Sequence, residues 1–171
     1  SNGAEVWSKT ISNAWCSYEN LAVKIAVSTN KVVIIYNENR NGTYNALTRG
    51  YFTSDGVCTN AWCSDQDIGS SSTPILDYGI DFDAADNVYL CGAYGFPTNT
   101  VITKLESDVY TITWQKIYNL TSGDERAFNL KVDQPGNSYV TGYMLNTNGS
   151  NDILTMKLDV FGDTIWTKRY N

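Results

Sequence analysis

Four of the five tryptophans in this chain, Trp7, Trp62, Trp114 and Trp166, recur at intervals of 55, 52 and 52 residues. Each sits in a similar short word: Val6-Trp7-Ser8-Lys9, Ala61-Trp62-Cys63, Thr113-Trp114-Gln115-Lys116 and Ile165-Trp166-Thr167-Lys168. A period near 50 residues, carried by aromatic-containing β segments, is what stacked four-stranded sheets produce, because one such sheet cannot bury both of its faces without a neighbour on each side. The repeat therefore predicts an all-β chain built of β-propeller blades, with these four tryptophans packed between blades.

Whole segments repeat with the tryptophans. The second copy reads Ile80–Asp83, Asn87–Gly92, Val101–Leu105 and Ile112–Tyr118; the third reads Leu130–Asp133, Asn137–Gly142, Ile153–Leu158 and Ile165–Tyr170. The first runs through Ala22–Ile25, Asn30–Tyr36 and Ala46–Arg49 and is expected to end at Trp62. Each copy is four β-branched and aromatic runs separated by Gly, Asn, Asp or Pro, the pattern of strands punctuated by turns. Three four-stranded antiparallel blades are predicted at residues 13–64, 65–119 and 120–171, preceded by a spare outer strand at residues 1–12. In the fourth strand of the second copy, Ile112, Trp114, Lys116 and Tyr118 share one face, so Trp114 can lie between blades while Lys116 reaches a wet edge.

The third copy, from Asp133-Gln134-Pro135-Gly136-Asn137-Ser138-Tyr139 through Gly142, Lys157 and Gly162 to Trp166, resembles the bacterial-type β-propeller repeat (SBBP-like repeats). The second copy keeps Asp83, Asn87, Tyr89, Gly92, Lys104 and Trp114 but has no Gly before its Asn. The first keeps Asn30, Thr48-Arg49 and Trp62. The resemblance covers roughly residues 20–171. It implies a secreted or cell-surface repeat protein with blades around an axis, and it carries over no catalytic residue, because the repeat motif contains none.

Composition narrows the partners. At 42% hydrophobic and 18% charged residues the chain is globular. A net charge of −6 with no basic stripe argues against nucleic acid and against an anionic membrane surface. No apolar run approaches the roughly 20 residues that a spanning helix needs. Residues 1–5 lack the regions of a secretion signal, which is expected upstream or already removed.

Counting the strands bears on function. Gly3 to Lys9 matches Gly162 to Lys168, so Val6, Trp7 and Lys9 read as a fourth strand without a blade of its own. Propellers close with about four to eight blades. Three blades and a spare strand leave faces and an edge to be covered by flanking blades or by other copies of the chain. Val6, Trp7 and Lys9 are thus expected to act as an assembly strand that pairs outside their own three blades.

Four cysteines, Cys16, Cys58, Cys63 and Cys91, allow three pairings. Cys58 and Cys63 flank an insertion before Trp62, where a bulged loop can join them; Cys91, among Val, Tyr, Leu and Gly, reads as a buried thiol. Without a single histidine, Ser-His-acid, Cys-His and 2-His-1-carboxylate sites are excluded, and no metal or cofactor is expected. A carboxylate pair among Asp81, Asp83 and Asp86 is chemically open to a glycosidase. Asp83 recurs as Asp133 ahead of each first turn, however, where its role is to accept turn amides.

The working surface is expected in the loops. The sequons at Asn41, Asn119 and Asn148 fall in loop classes that emerge at one end of the blades and are candidates for N-glycosylation; Asn-Gly turn formation explains them equally well. Tyr44, Phe96 or Tyr143 could stack on a sugar ring. The sequence thus predicts a non-catalytic extracellular structural subunit that self-associates through blade faces or meets flanking blades. A carbohydrate- or protein-binding part of a larger secreted propeller is the alternative.

Overall fold

Alternating β-branched and aromatic residues, cut by Asp-, Asn- and Gly-containing turns, give twelve strands in the computed structural model. It describes residues 5–8, 21–40, 43–58, 66–71, 79–95, 98–107 and 111–171. The first sheet contains β1 (Leu21–Val27), β2 (Lys31–Arg40), β3 (Thr43–Phe52) and β4 (Gln66–Ser71). The second contains β5 (Gly79–Phe82), β6 (Val88–Tyr94), β7 (Asn99–Leu105) and β8 (Ile112–Tyr118). The third contains β9 (Glu125–Val132), β10 (Ser138–Leu145), β11 (Asn151–Leu158) and β12 (Thr164–Tyr170). Each is an antiparallel meander in chain order, and the described residues contain no helix.

Burial shows how the sheets stack. Every residue from Val88 to Ala93 in β6 is buried, whereas Ser138 to Thr141 in β10 alternate buried and exposed. By the two-residue period of a strand, the second sheet is covered on both faces and the third on one. Val88 and Leu90 of β6 join Val33, Ile35 and Ala46 of the first sheet in one core. Tyr89 and Cys91 point the other way and join Leu130, Val140, Leu154, Met156 and Leu158 of the third sheet in a second core.

The first strands of successive sheets run beside one another, β1 near β5 and β5 near β9. At Gly79 a Cβ would lie 2.6 Å from the Asn129 Cα, so only glycine permits this approach of β5 to β9. Asp81 fastens the same junction, accepting from the Val132 amide at 2.9 Å and pairing with Lys131 at 3.1 Å. Its carboxylate is engaged in holding this junction.

The turns before β6 and β10 are built alike. Asp83 accepts from the amides of Ala85 and Asn87 and from the Asn87 side chain; Asp133 accepts from the Asn137 amide and side chain. Gly136 takes φ +91° in the second of these turns, and Asp86 takes φ +62° in the first. The second copy thus makes the same turn without glycine, at a residue type that tolerates the left-handed region.

Two expectations about the first copy change. Its fourth strand is Gln66–Ser71, paired with β3 through a bulge at Ala46/Leu47. The first sheet therefore extends beyond residues 64/65, where its copy was expected to end, and takes in β4. The run Gln-Asp-Ile-Gly-Ser-Ser has no hydrophobic alternation, so only backbone pairing with β3 reveals it as a strand. Glu5–Ser8 form no strand. Trp7, expected to find no place within its own chain, packs on the first sheet, with its ring 6.1 Å from Tyr51 and its indole N–H donating to the Thr53 carbonyl at 3.1 Å. Lys9, Cys16, Asn41, Trp62, Cys63 and Phe96 lie outside the described residues. Cys58 is disulfide-bonded and Cys91 is a free, buried thiol.

Candidate functional site

The joint between the second and third sheets defines what a covered sheet face requires. Tyr89 on β6 donates its hydroxyl to the Gly136 carbonyl of the next sheet at 3.3 Å. The Trp114 indole donates to the Val160 carbonyl at 3.2 Å, and its ring lies over Gly162, which takes φ +79° in the β11–β12 turn. A Cβ at Gly162 would come within 3.0 Å of that ring. Two positions along β8, Lys116 pairs with Asp163; two further, the Tyr118 hydroxyl donates to the Gly162 carbonyl at 2.6 Å. The period of two puts Trp114, Lys116 and Tyr118 on one face, and all three grip a single turn of the neighbouring sheet.

Behind this row, Lys104 sits 4.9 Å above the Tyr89 ring and 3.5 Å from Asp83, and Trp114 meets Tyr89 edge-on at 6.1 Å. Burial raises the pKa of Asp83, but hydrogen bonds from Asn87 and Ala85 and the Lys104 charge outweigh it, holding the carboxyl below its ordinary value. Burial pushes the Tyr89 and Tyr118 phenols up. Both stay neutral donors at physiological pH.

The third sheet carries the same constellation on its outer face. Asp133, Asn137 and Tyr139 stand 50 residues after Asp83, Asn87 and Tyr89; Lys157 stands 53 after Lys104; Trp166, Lys168 and Tyr170 stand 52 after Trp114, Lys116 and Tyr118. Lys157 lies 4.9 Å above the Tyr139 ring, the distance found for Lys104 and Tyr89, and Lys157 pairs with Trp166 across β11 and β12 as Lys104 does with Trp114 across β7 and β8. The Tyr139 hydroxyl turns back onto Asp133 at 3.3 Å. Hydrogen bonding from Asn137 is the main cause holding the Asp133 carboxyl below its ordinary value, and the Tyr139 hydrogen bond is the main cause raising Lys157.

What differs is the cover. Tyr89 is 0% exposed and Tyr139 39%; Tyr118 is 9% exposed and Tyr170 57%. The side chains of Trp166 and Lys168 make no hydrogen bond among the described residues, and Phe161, Ile165 and Ile153 are exposed at the same end of the stack. A groove of about 290 Å³ runs along this face between Asn129, Lys131, Tyr139, Thr141, Thr155 and Trp166. The strand is nonetheless well anchored, since Arg169 pairs with the buried Asp152.

The opposite end of the stack repeats the acceptor half. The β3–β4 connection turns at Gly56, φ +65°, and Trp7 stands to Thr53 as Trp114 stands to Val160, with the same sequence separation of 46 residues. A Cβ at Gly56 would lie 2.6 Å from the Trp7 ring. The equivalence of Gly56 and Gly162 is visible in sequence; that Trp7 fills this turn is not.

Other expected surface residues are scattered. Asn119 and Asn148 are exposed, and the Asn148 carboxamide oxygen accepts from the Ser150 amide and hydroxyl, closing its own turn. Tyr143 packs against Phe128 with the rings tilted by 51° and their centroids 5.5 Å apart. Glu125, unremarkable in sequence, is fully buried; Thr121 donates its amide to it and one carboxylate oxygen has no partner. Burial is the main cause raising its pKa. Among the described residues no cluster of Cys, Asp and Glu is placed to hold a metal ion.

No protein-family model and no curated protein matches the chain.

Proposed function

We propose that this chain is a non-catalytic structural module of β-propeller type, secreted or displayed at the cell surface, that assembles by docking a further blade on the outer face of its third sheet. One observation carries the reading. The residues that hold the third sheet on the second are repeated on the third sheet itself, where the chain leaves them exposed. Sheets stacked through their faces, with first strands side by side, are what blades around an axis would show. The Cys58 disulfide supports an oxidising compartment. Exposed Asn119 and Asn148, with Asn41, are the sites where glycans would be carried if the source glycosylates them.

Static light scattering on the purified chain tests this. The expected result is a mass above the 19.0 kDa of one chain that grows with concentration and returns to one chain in a Tyr139→Ser/Trp166→Ser variant. A wild-type protein that remains at one chain mass at every concentration would refute self-assembly.

A second reading rests on the groove. Trp166 and Tyr139 present aromatic rings to a groove whose accessible lining is almost wholly apolar, the surface on which the apolar face of a sugar ring would stack. A glycan array tests it, with binding lost in the same variant as the expected outcome.

A further inference from the structure

We infer that Trp7 is an internal plug, occupying in its own first sheet the site at which Trp166 of a second copy docks. This rests on the assembly reading above and names both halves of the joint. The donor half is the exposed row Trp166, Lys168 and Tyr170 on β12. In the second sheet the same row, Trp114, Lys116 and Tyr118, binds a glycine-bearing hairpin turn through an indole-to-carbonyl bond, a ring laid over glycine and a phenol-to-carbonyl bond.

Among the described residues one other glycine-bearing turn is met by an indole, Thr53–Gly56, on the far side of the stack. Its carbonyl and glycine face are taken by Trp7 in the same way. Val6-Trp7-Ser8 imitates Ile165-Trp166-Thr167 in sequence, and Trp7 meets its turn with the bond that Trp114 makes. It does so from Glu5–Ser8, which form no strand, whereas Trp114 stands on β8.

The exchange follows from these parts. When Trp7 leaves, Trp166 of another copy lays its ring over Gly56 and donates to the Thr53 carbonyl. Tyr170 reaches the Gly56 carbonyl, as Tyr118 reaches that of Gly162. Ring and bond are the same in the closed and joined states, so the balance is set by concentration. The joint is also weaker than the internal one it copies. Val57 stands where the third sheet has Asp163, leaving Asp55 as the carboxylate on that turn for Lys168. Head-to-tail contact of this kind joins unlike faces and extends to chains or closes into rings.

Sedimentation equilibrium on four forms of the chain tests the inference. Trp7→Ala opens the acceptor and is expected to tighten association roughly tenfold or more, because apparent affinity scales with the fraction of molecules whose site is open. Gly56→Ala disturbs the same corner but fills the site and strains the turn; it is expected to abolish association. Trp166→Ala removes the donor and is expected to do the same. A purely structural role for Trp7 predicts that Trp7→Ala and Gly56→Ala act alike, which would overturn the proposal.

A labelled peptide of residues 162–171 provides an independent measurement. It is expected to bind the Trp7→Ala chain more tightly than wild type, and to lose that binding when its own Trp166 is Ala. Equal binding of both peptides would overturn the proposal even if Trp7→Ala unfolds partly. Association that is lost with Trp166→Ala yet indifferent to Trp7 would sink the plug while leaving assembly standing. No association in any of the four forms would sink both.

Discussion

Tyr118 and Tyr170 occupy the same position in two successive sheets, and the difference between them measures what a covering sheet is worth. Tyr118 is 9% exposed, with its hydroxyl 2.6 Å from the Gly162 carbonyl; Tyr170 is 57% exposed, with no such acceptor. A tyrosine of about 200 Å² that differs by roughly half its area in burial differs by about 100 Å², or about 2.5 kcal/mol at 25 cal/mol per Å². The hydrogen bond adds about 1 kcal/mol. Truncation to alanine should therefore cost about 3–4 kcal/mol at Tyr118 and about 1 kcal/mol or less at Tyr170. In a chain of this size that is a drop in Tm of about 6–16 °C against about 2–4 °C. Tyr118→Phe isolates the hydrogen bond and should cost about 1 kcal/mol. Urea denaturation at protein concentrations too low for association is the assay. Equal losses at the two positions would refute the reasoning, since they would mean that the third sheet contributes nothing to Tyr118. Raising the protein concentration should then increase the cost at Tyr170 alone, because a partner that binds only the folded chain adds to its stability.

Glu125 supplies a pH dependence of opposite sign to that of most carboxylates. Its folded pKa is raised, with burial the main cause, so its favourable contribution is complete below the unfolded value near 4.3 and is lost as pH rises through the folded value. The wild-type chain should therefore lose stability relative to Glu125→Gln as pH increases from 4 towards neutrality; parallel pH profiles in chemical denaturation would contradict this. Cys91 is buried and its thiol is pushed up to about 12, with burial the main cause. It should resist alkylation in the native chain at pH 8 and react only on unfolding, and labelling at the rate of a free thiol would show that the interface between the second and third sheets opens readily.

The residues that speak to architecture are legible because each serves a local rule. Asp83 and Asp133 announce turns, since a carboxylate two to four residues ahead of the amides it accepts needs no tertiary help. The strands around Tyr89, Lys104 and Trp114 are legible from alternation, and so are their counterparts around Tyr139, Lys157 and Trp166. The fourth strand of the first sheet was hidden, because Gln66–Ser71 carries no apolar pattern and its pairing with β3 is made by backbone groups that every residue possesses. Glu125 was hidden for a related reason, in that burial of a polar side chain depends on what packs over it.

By itself, then, the sequence determined that the chain is a threefold repeat of β-strands and that one set of residues, Asp, Asn, Tyr, Lys, Trp, Lys and Tyr, recurs in its second and third copies. It could not say which of two identical sets is covered. Tyr89 and Tyr139 follow the same motif, and so do Trp114 and Trp166; their local preferences are the same. Only the stacking of sheets made one set an interior joint and left the other facing solvent, and only the tertiary structure put Trp7 against Thr53 and Gly56. The physical reason is that burial belongs to pairs of surfaces: a side chain's free energy of leaving water is fixed by its chemistry, but whether it leaves depends on what arrives to cover it.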